Sequence, residues 1–128
     1  MSRGIGDTTL FIARETGRTL DIHALPEEIG VSVITIGELR AGVLAATDIE
    51  SRDRRLATLT QALAMQPVSI DDRVADHWAK LRILLRDSGQ RMPVNDSWIA
   101  ATAMSLGVPV VTQDHDYVEV PGLEVIKV

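Results

Sequence analysis

Four acidic residues, Asp7, Glu38, Asp96 and Asp114, each stand beside an apolar stretch and are followed by small or capping residues. The stretches read G-I-G-D-T-T-L-F-I-A, V-I-T-I-G-E-L-R-A-G-V, V-N-D-S-W-I-A-A-T-A and V-P-V-V-T-Q-D-H-D-Y. Each acid falls where a predicted strand hands over to a helix or turn, and in an open α/β sheet sites form at the carboxyl ends of the strands. Four carboxylates gathered in a low-dielectric cleft would repel one another, so a folded cluster calls for a hard divalent cation. A metal-binding nuclease is the chemistry such a set suggests.

Each acid also has a purely structural explanation. Asp7 would cap a helix through the amides of Thr9 or Leu10, and Asp96 would place charge at a helix N-terminus. Thr35-Ile36-Gly37-Glu38 fits a capping box, and Asp114 and Asp116 suit a turn. Capping does not account for all four acids falling at the same edge of one predicted sheet.

The elements that must position them alternate helices with short apolar strands, without repeats or a Pro/Gly/Ser linker, which indicates an α/β fold. The first strand ahead of Asp7 is expected to be short or frayed, because Met1 to Gly6 offers only Ile5 as a strand former and contains two glycines. A helix is predicted from Thr8 to Glu15, a strand from Val31 to Ile34 and a helix from about Ile36 to Ala46. After a polar break, a helix from about Arg52 to Met65 places Leu56, Leu59 and Leu63 on one face. Val68 to Ile70 reads as a short strand, and Asp71 as the N-cap of a long helix striped by Val74, Trp78, Leu81 and Leu85. A helix from Asp96 to Leu106, capped by Asn95 and ended by Gly107, precedes strands at Val108 to Thr112 and Leu123 to Val128.

The 128 residues are 45% hydrophobic, enough for one compact domain spanning the whole chain. The absence of cysteine excludes a disulfide scaffold, thiolate zinc sites and a cysteine nucleophile. The opening residues lack the apolar run of a secretory leader and no stretch is long enough to span a bilayer, so a soluble, cytoplasmic protein is expected. A net charge of −5 argues against a surface that attracts nucleic acid everywhere, although the thirteen basic residues are mostly Arg, which suits bidentate phosphate contacts.

Taken together, the four acidic segments resemble those of the PIN domain, and over nearly the whole chain the VapC-type toxins of bacterial toxin–antitoxin pairs. D-T-T-L-F-I-A is similar to the family's opening motif with Asp7 as first acid, and I-G-E-L-R-A-G-V to the second with Glu38. N-D-S-W-I-A-A-T-A carries the third acid at Asp96, and V-V-T-Q-D-H-D-Y the fourth at Asp114, with Asp116 as an auxiliary. The resemblance implies a three-layer α/β/α domain with a central, mainly parallel sheet. It also implies a metal-dependent endoribonuclease whose Mg²⁺ or Mn²⁺ is held by Asp7, Asp96, Asp114 and Asp116, with Glu38 contributing directly or through water. A water activated by the cation would attack the phosphorus in line.

Thr112 and Asn95 would orient carboxylates; Arg40 is the first candidate for phosphate contact, ahead of Arg14, Arg86 and Arg91, and Thr112 is a further candidate for substrate contact. His23, His77 and His115 form no convincing site, and Trp98 reads as packing before base stacking. The family implies RNA as substrate, a cognate antitoxin and a homodimer, and no membrane. Two other classes fit less well. An inactive binding scaffold would keep the fold without the chemistry, and a receiver-like Mg²⁺-binding domain would need an acidic pair and a Lys where this chain has neither.

Overall fold

The structure is a computed structural model describing residues 2–128; Met1, where the expected first strand begins, lies outside them. Among the described residues the elements run β1 (Arg3–Gly6), α1 (Thr8–Glu15), β2 (Glu28–Val31), α2 (Val33–Ala45), α3 (Ile49–Leu63), α4 (Asp72–Asp87), α5 (Val94–Leu106), β3 (Val110–Thr112) and β4 (Val125–Lys127). The strands form one sheet in the order β2-β1-β3-β4, with every pairing parallel. Their carboxyl ends therefore share one edge. Among the described residues no helix is long and apolar enough to cross a membrane.

Helices cover both faces, as an all-parallel sheet requires. On one face Leu81 and Leu85 of α4 and Ile99, Ala100 and Ala103 of α5 pack on Ile5 and Val110. Phe11, Val31, Leu39, Leu59 and Ala62 form a second cluster from α1, β2, α2 and α3. This is the three-layer α/β/α arrangement, with Ile5 and Gly6 of β1 turned toward opposite layers.

The first strand is short, as expected, at four residues, but it is not frayed: it is a well-paired inner strand. Its register sets Arg3–Gly6 against Glu28–Val31, and Ile5 and Gly6 against Val110 and Val111. The glycines give up strand propensity but allow close approach. A Cβ on Gly4 would stand 2.6 Å from Val111 Cγ2, and one on Gly6 2.7 Å from Leu10 Cδ2 and 2.9 Å from Ile29 Cγ2.

Several boundaries differ from the sequence expectation for identifiable reasons. The strand expected at Val31 to Ile34 runs from Glu28 to Val31, because buried Ser32 accepts the Ile34 N–H and starts α2 at Val33. The β-branched run Val33-Ile34-Thr35-Ile36 looks like strand yet is the first turn of a helix, and the capping box at Thr35 does not form. Helix α3 starts earlier than Arg52 because Asp48 accepts the Ser51 N–H. Of its expected stripe only Leu59 is buried, at 1% exposure against 47% for Leu56 and 44% for Leu63. Val68 makes a single parallel bridge to Ser32 in place of a strand. Asp71 caps α4 as expected by accepting the Val74 N–H. Helix α5 begins at Val94 with Pro93, not Asn95, at the cap, and ends at Gly107 in the left-handed region.

Gly4→Ala is expected to lower stability by about 1–3 kcal/mol through overpacking against Val111. Gly37→Ala, in α2 where an added methyl meets nothing within 4 Å, is expected to raise it by up to about 1 kcal/mol. Urea denaturation midpoints of the two variants check both signs, and a shared sign would remove close approach as the reason for glycine in β1.

Candidate active site

Asp7 follows β1 directly and is also the N-cap of α1, so the capping and the functional explanations meet in one carboxylate. It is only 1% exposed. Its Oδ1 accepts from the Thr9 hydroxyl at 2.6 Å and the Leu10 N–H at 3.2 Å, and its Oδ2 accepts from the Thr112 hydroxyl at 2.6 Å. Burial raises the proton affinity of Asp7, the three hydrogen bonds pull it back, and the Asp114 charge adds to the rise. The net direction is upward.

Thr112 closes β3 and is fully buried, which keeps it from meeting a substrate directly. Its hydroxyl donates to Asp7 and accepts the Asp114 N–H at 2.8 Å, so one side chain fixes two acids. The Thr9 hydroxyl adds a second link, accepting the Gln113 N–H at 3.1 Å. Asp114 in turn accepts the Asp116 N–H at 3.1 Å, which curls the segment so that both acids are presented together.

Asp96 enters from the first turn of α5. Carboxylate oxygens of Asp96, Asp114 and Asp116 lie within 4.8 Å of one another. The Asp96 pKa is pushed up to about 7, first by burial and then by the charges of Asp7, Asp114, Glu38 and Asp116. The other four expected acids thus all act on Asp96, although Asp7 and Glu38 stand outside the tight trio. Glu38 Oε1 accepts from the Thr8 hydroxyl at 2.6 Å, and that hydroxyl lies 3.1 Å from the buried Thr35 hydroxyl. Glu38 therefore turns toward α1, not back to its own helix start.

The other expected residues divide. Arg40 is exposed, two positions along α2 from Glu38 and so on a different helix face. Asn95 is exposed on the first turn of α5. Trp98 stacks on Trp78 with ring centroids 4.4 Å apart and planes 4° off parallel, which is packing within the fold. Sequence reasoning missed Thr8 and Thr9, whose adjacency to Asp7 was the available signal, and Tyr117. The Tyr117 hydroxyl is buried without a protein partner, and burial together with Asp7, Asp96, Glu38 and Asp114 pushes its pKa up. It keeps its proton and is an unused donor beside a concentration of negative charge.

Three close carboxylates offer an all-oxygen donor set of the kind hard divalent cations take. The raised proton affinity of Asp96 shows how poorly the site tolerates its own charge, and a dication or a proton relieves the same repulsion. The donor set fits Mg²⁺ or Mn²⁺ in chemistry.

Comparison with known proteins identifies the family. The profile of the PIN domain matches residues 7–123, from the first acid to the end of the segment after Asp116. The chain is 46% identical over 128 residues to Ribonuclease VapC5 of Mycobacterium tuberculosis, covering 98% of this chain and 95% of that protein. It is 45% identical over 126 residues to Ribonuclease VapC4 of the same organism, covering 98% and 97%. The crystal structure of VapBC-5 from M. tuberculosis, a member of the VapBC family of toxin–antitoxin systems, superimposes with a TM-score of 0.92 at 42% identity over 100% of both chains. The chain belongs to the PIN-domain family, in its VapC-type branch.

Proposed function

We propose that this chain is a metal-dependent endoribonuclease and the toxin of a toxin–antitoxin pair, its described residues acting as one nuclease domain in the cytoplasm. The observation that carries this reading is the convergence of Asp96, Asp114 and Asp116 at the carboxyl edge of a parallel sheet, in a chain whose relatives are named ribonucleases. Asp96, Asp114 and Asp116 would hold Mg²⁺ or Mn²⁺, with Asp7 and Glu38 behind them. Bound there, such a cation supplies Lewis-acid polarisation of a phosphoryl oxygen and an acidified water.

The chain's own residues supply placement. Asp7 is locked by three hydrogen bonds and cannot swing, so it fixes the geometry of the floor of the site. Thr112 aligns Asp7 and the Asp114 backbone at once. Glu38, held by Thr8, is the carboxylate free to take a proton from water on the α1 side. Arg40 offers an exposed guanidinium for a phosphate of the RNA.

Partner binding is supported by apolar side chains left uncovered. Ile12, Leu44, Ile49, Leu56 and Leu63 are exposed on α1, α2 and α3, and Ile83 and Leu84 on α4. Isolated exposed apolar residues are ordinary, but a series on adjacent helices marks an interaction surface. An antitoxin on the first group and a second copy of this chain on the α4 pair would bury them, in keeping with the VapBC complex it resembles.

Four measurements test the reading. Purified protein is expected to cut single-stranded RNA only with Mg²⁺ or Mn²⁺, and Asp96→Asn is expected to lower that rate by at least about a hundredfold; metal-independent cutting would sink the proposal. Asp96 couples pH to stability, because without a cation the folded protein holds its proton more tightly than the unfolded chain. Stability is therefore fully present at low pH and falls as pH rises from the ordinary value of 3.8 through about 7. Over the same window Mn²⁺ affinity, read by calorimetry, is expected to rise about tenfold per pH unit as the competing proton leaves. Thr112→Val, which keeps the shape but removes the hydroxyl shared by Asp7 and Asp114, is expected to cost about 1–3 kcal/mol by urea unfolding and to slow cleavage.

A further inference from the structure

Arg82 and Arg86 stand one helical turn apart on α4, and Arg91 lies on the connection to α5. The three line an open cavity of about 560 Å³ whose apolar wall includes Leu85 and Met92, both buried in the core. A helix C-terminus attracts cations, which accounts for Arg86 in the last turn but not for Arg82 within α4 or Arg91 beyond it. Arg86 uses only Nε on Asp87, at 3.1 Å. The Arg82 guanidinium lies over the Trp78 ring, 5.4 Å from its centroid, an arrangement that leaves its N–H edge open. Among the described residues no ion pair engages Arg82 or Arg91.

The cavity is tied to the acid site in two ways. Arg91 precedes Asp96 by five residues, so the two backbones are at most about 17 Å apart. The buried Met92 and the cap Pro93 fix that span at both its core and helix sides. A stack also runs from Arg82 over Trp78 to Trp98, and Trp78 Nε1 donates to the Ser97 hydroxyl at 3.0 Å, next to Asp96. Three partly unused guanidinium forks at a fixed offset from a set of carboxylates suit a polymer with a phosphate at every step, because Arg binds phosphate bidentately.

We infer that this cavity is a phosphate subsite, holding the backbone of the RNA strand a short distance from the bond placed at the acids. The inference deepens the ribonuclease reading and rests on it. In a chain of net charge −5, a local cationic hold is what keeps a polyanion from being expelled by the acids themselves.

The test is fluorescence anisotropy of a labelled single-stranded RNA in Ca²⁺, titrated at several salt concentrations, for the wild type, Arg82→Ala, Arg91→Ala and the charge-keeping Arg91→Lys. Thermal melting confirms folding, and Arg91→Gln stands in should an alanine variant not fold. Each alanine variant is expected to bind on the order of tenfold more weakly, with the slope of log K against log salt reduced by about 0.7 per lost phosphate contact. Arg91→Lys is expected to keep the slope. In cleavage assays with Mn²⁺, KM for the long RNA should rise with kcat retained, while a dinucleotide too short to reach the cavity is cut equally by all. Unchanged affinity and slope, in a wild type that cuts RNA, would overturn the subsite alone. So would variants that bind RNA normally but release the antitoxin, which would assign the cavity to a protein carboxylate. A wild type that neither binds nor cuts RNA would overturn the nuclease reading and the subsite together.

Discussion

One buried carboxylate joins the parts of this fold that are farthest apart in the chain. Asp7 follows the inner strand β1, caps α1, and through Thr112 is bonded to the end of β3 more than a hundred residues later. Leaving that group buried without partners would cost several kcal/mol, so its three hydrogen bonds are a condition of folding as much as of function. Three of the other acids take their positions from this anchor or its neighbours, while Asp96 is placed by α5. Asp114 is held by the same threonine, Asp116 by Asp114, and Glu38 by the threonine adjacent to Asp7.

The arrangement sets local stability against chemistry. Hydrogen bonds make Asp7 tolerable where it is, whereas burial first and then repulsion from the other acids raise the Asp96 pKa to about 7. A site of this kind stores unfavourable charge that an oxygen-seeking dication can relieve, which links cation affinity to fold stability. The close contacts at Gly4 and Gly6 belong to the same design, since the anchor sits at the end of a strand that must pass tightly between β2, β3 and α1.

Much of this was legible in the residues. Helix caps at Asp71 and Gly107 and the α/β alternation follow from local chemistry, and the acids could be placed at one sheet edge because each follows an apolar stretch. The errors share a cause. Val33 to Ile36 is β-branched but helical because buried Ser32 caps it, and Leu56 and Leu63 share a helical face with Leu59 yet stay exposed. The glycines of β1 weaken a strand locally while meeting a steric demand set by Val111, far away in the chain. The sequence offers Thr112 both as a carboxylate-orienting residue and as a substrate contact, and only its burial and hydrogen bonds favour the first. Arg82 drew no notice, since only packing shows which arginines face a shared cavity.

The division of the acids between the two ends of the chain has a consequence for biosynthesis. Residues up to α4 can leave the ribosome and form helices, but β1 lacks its inner neighbour and Asp7 its Thr112 bond until residues beyond Val110 emerge. Pairing that spans such a separation is slow and late. A nascent chain of this protein therefore carries its first two acids in an incomplete site. The acid cluster is thus among the last features of the fold to form.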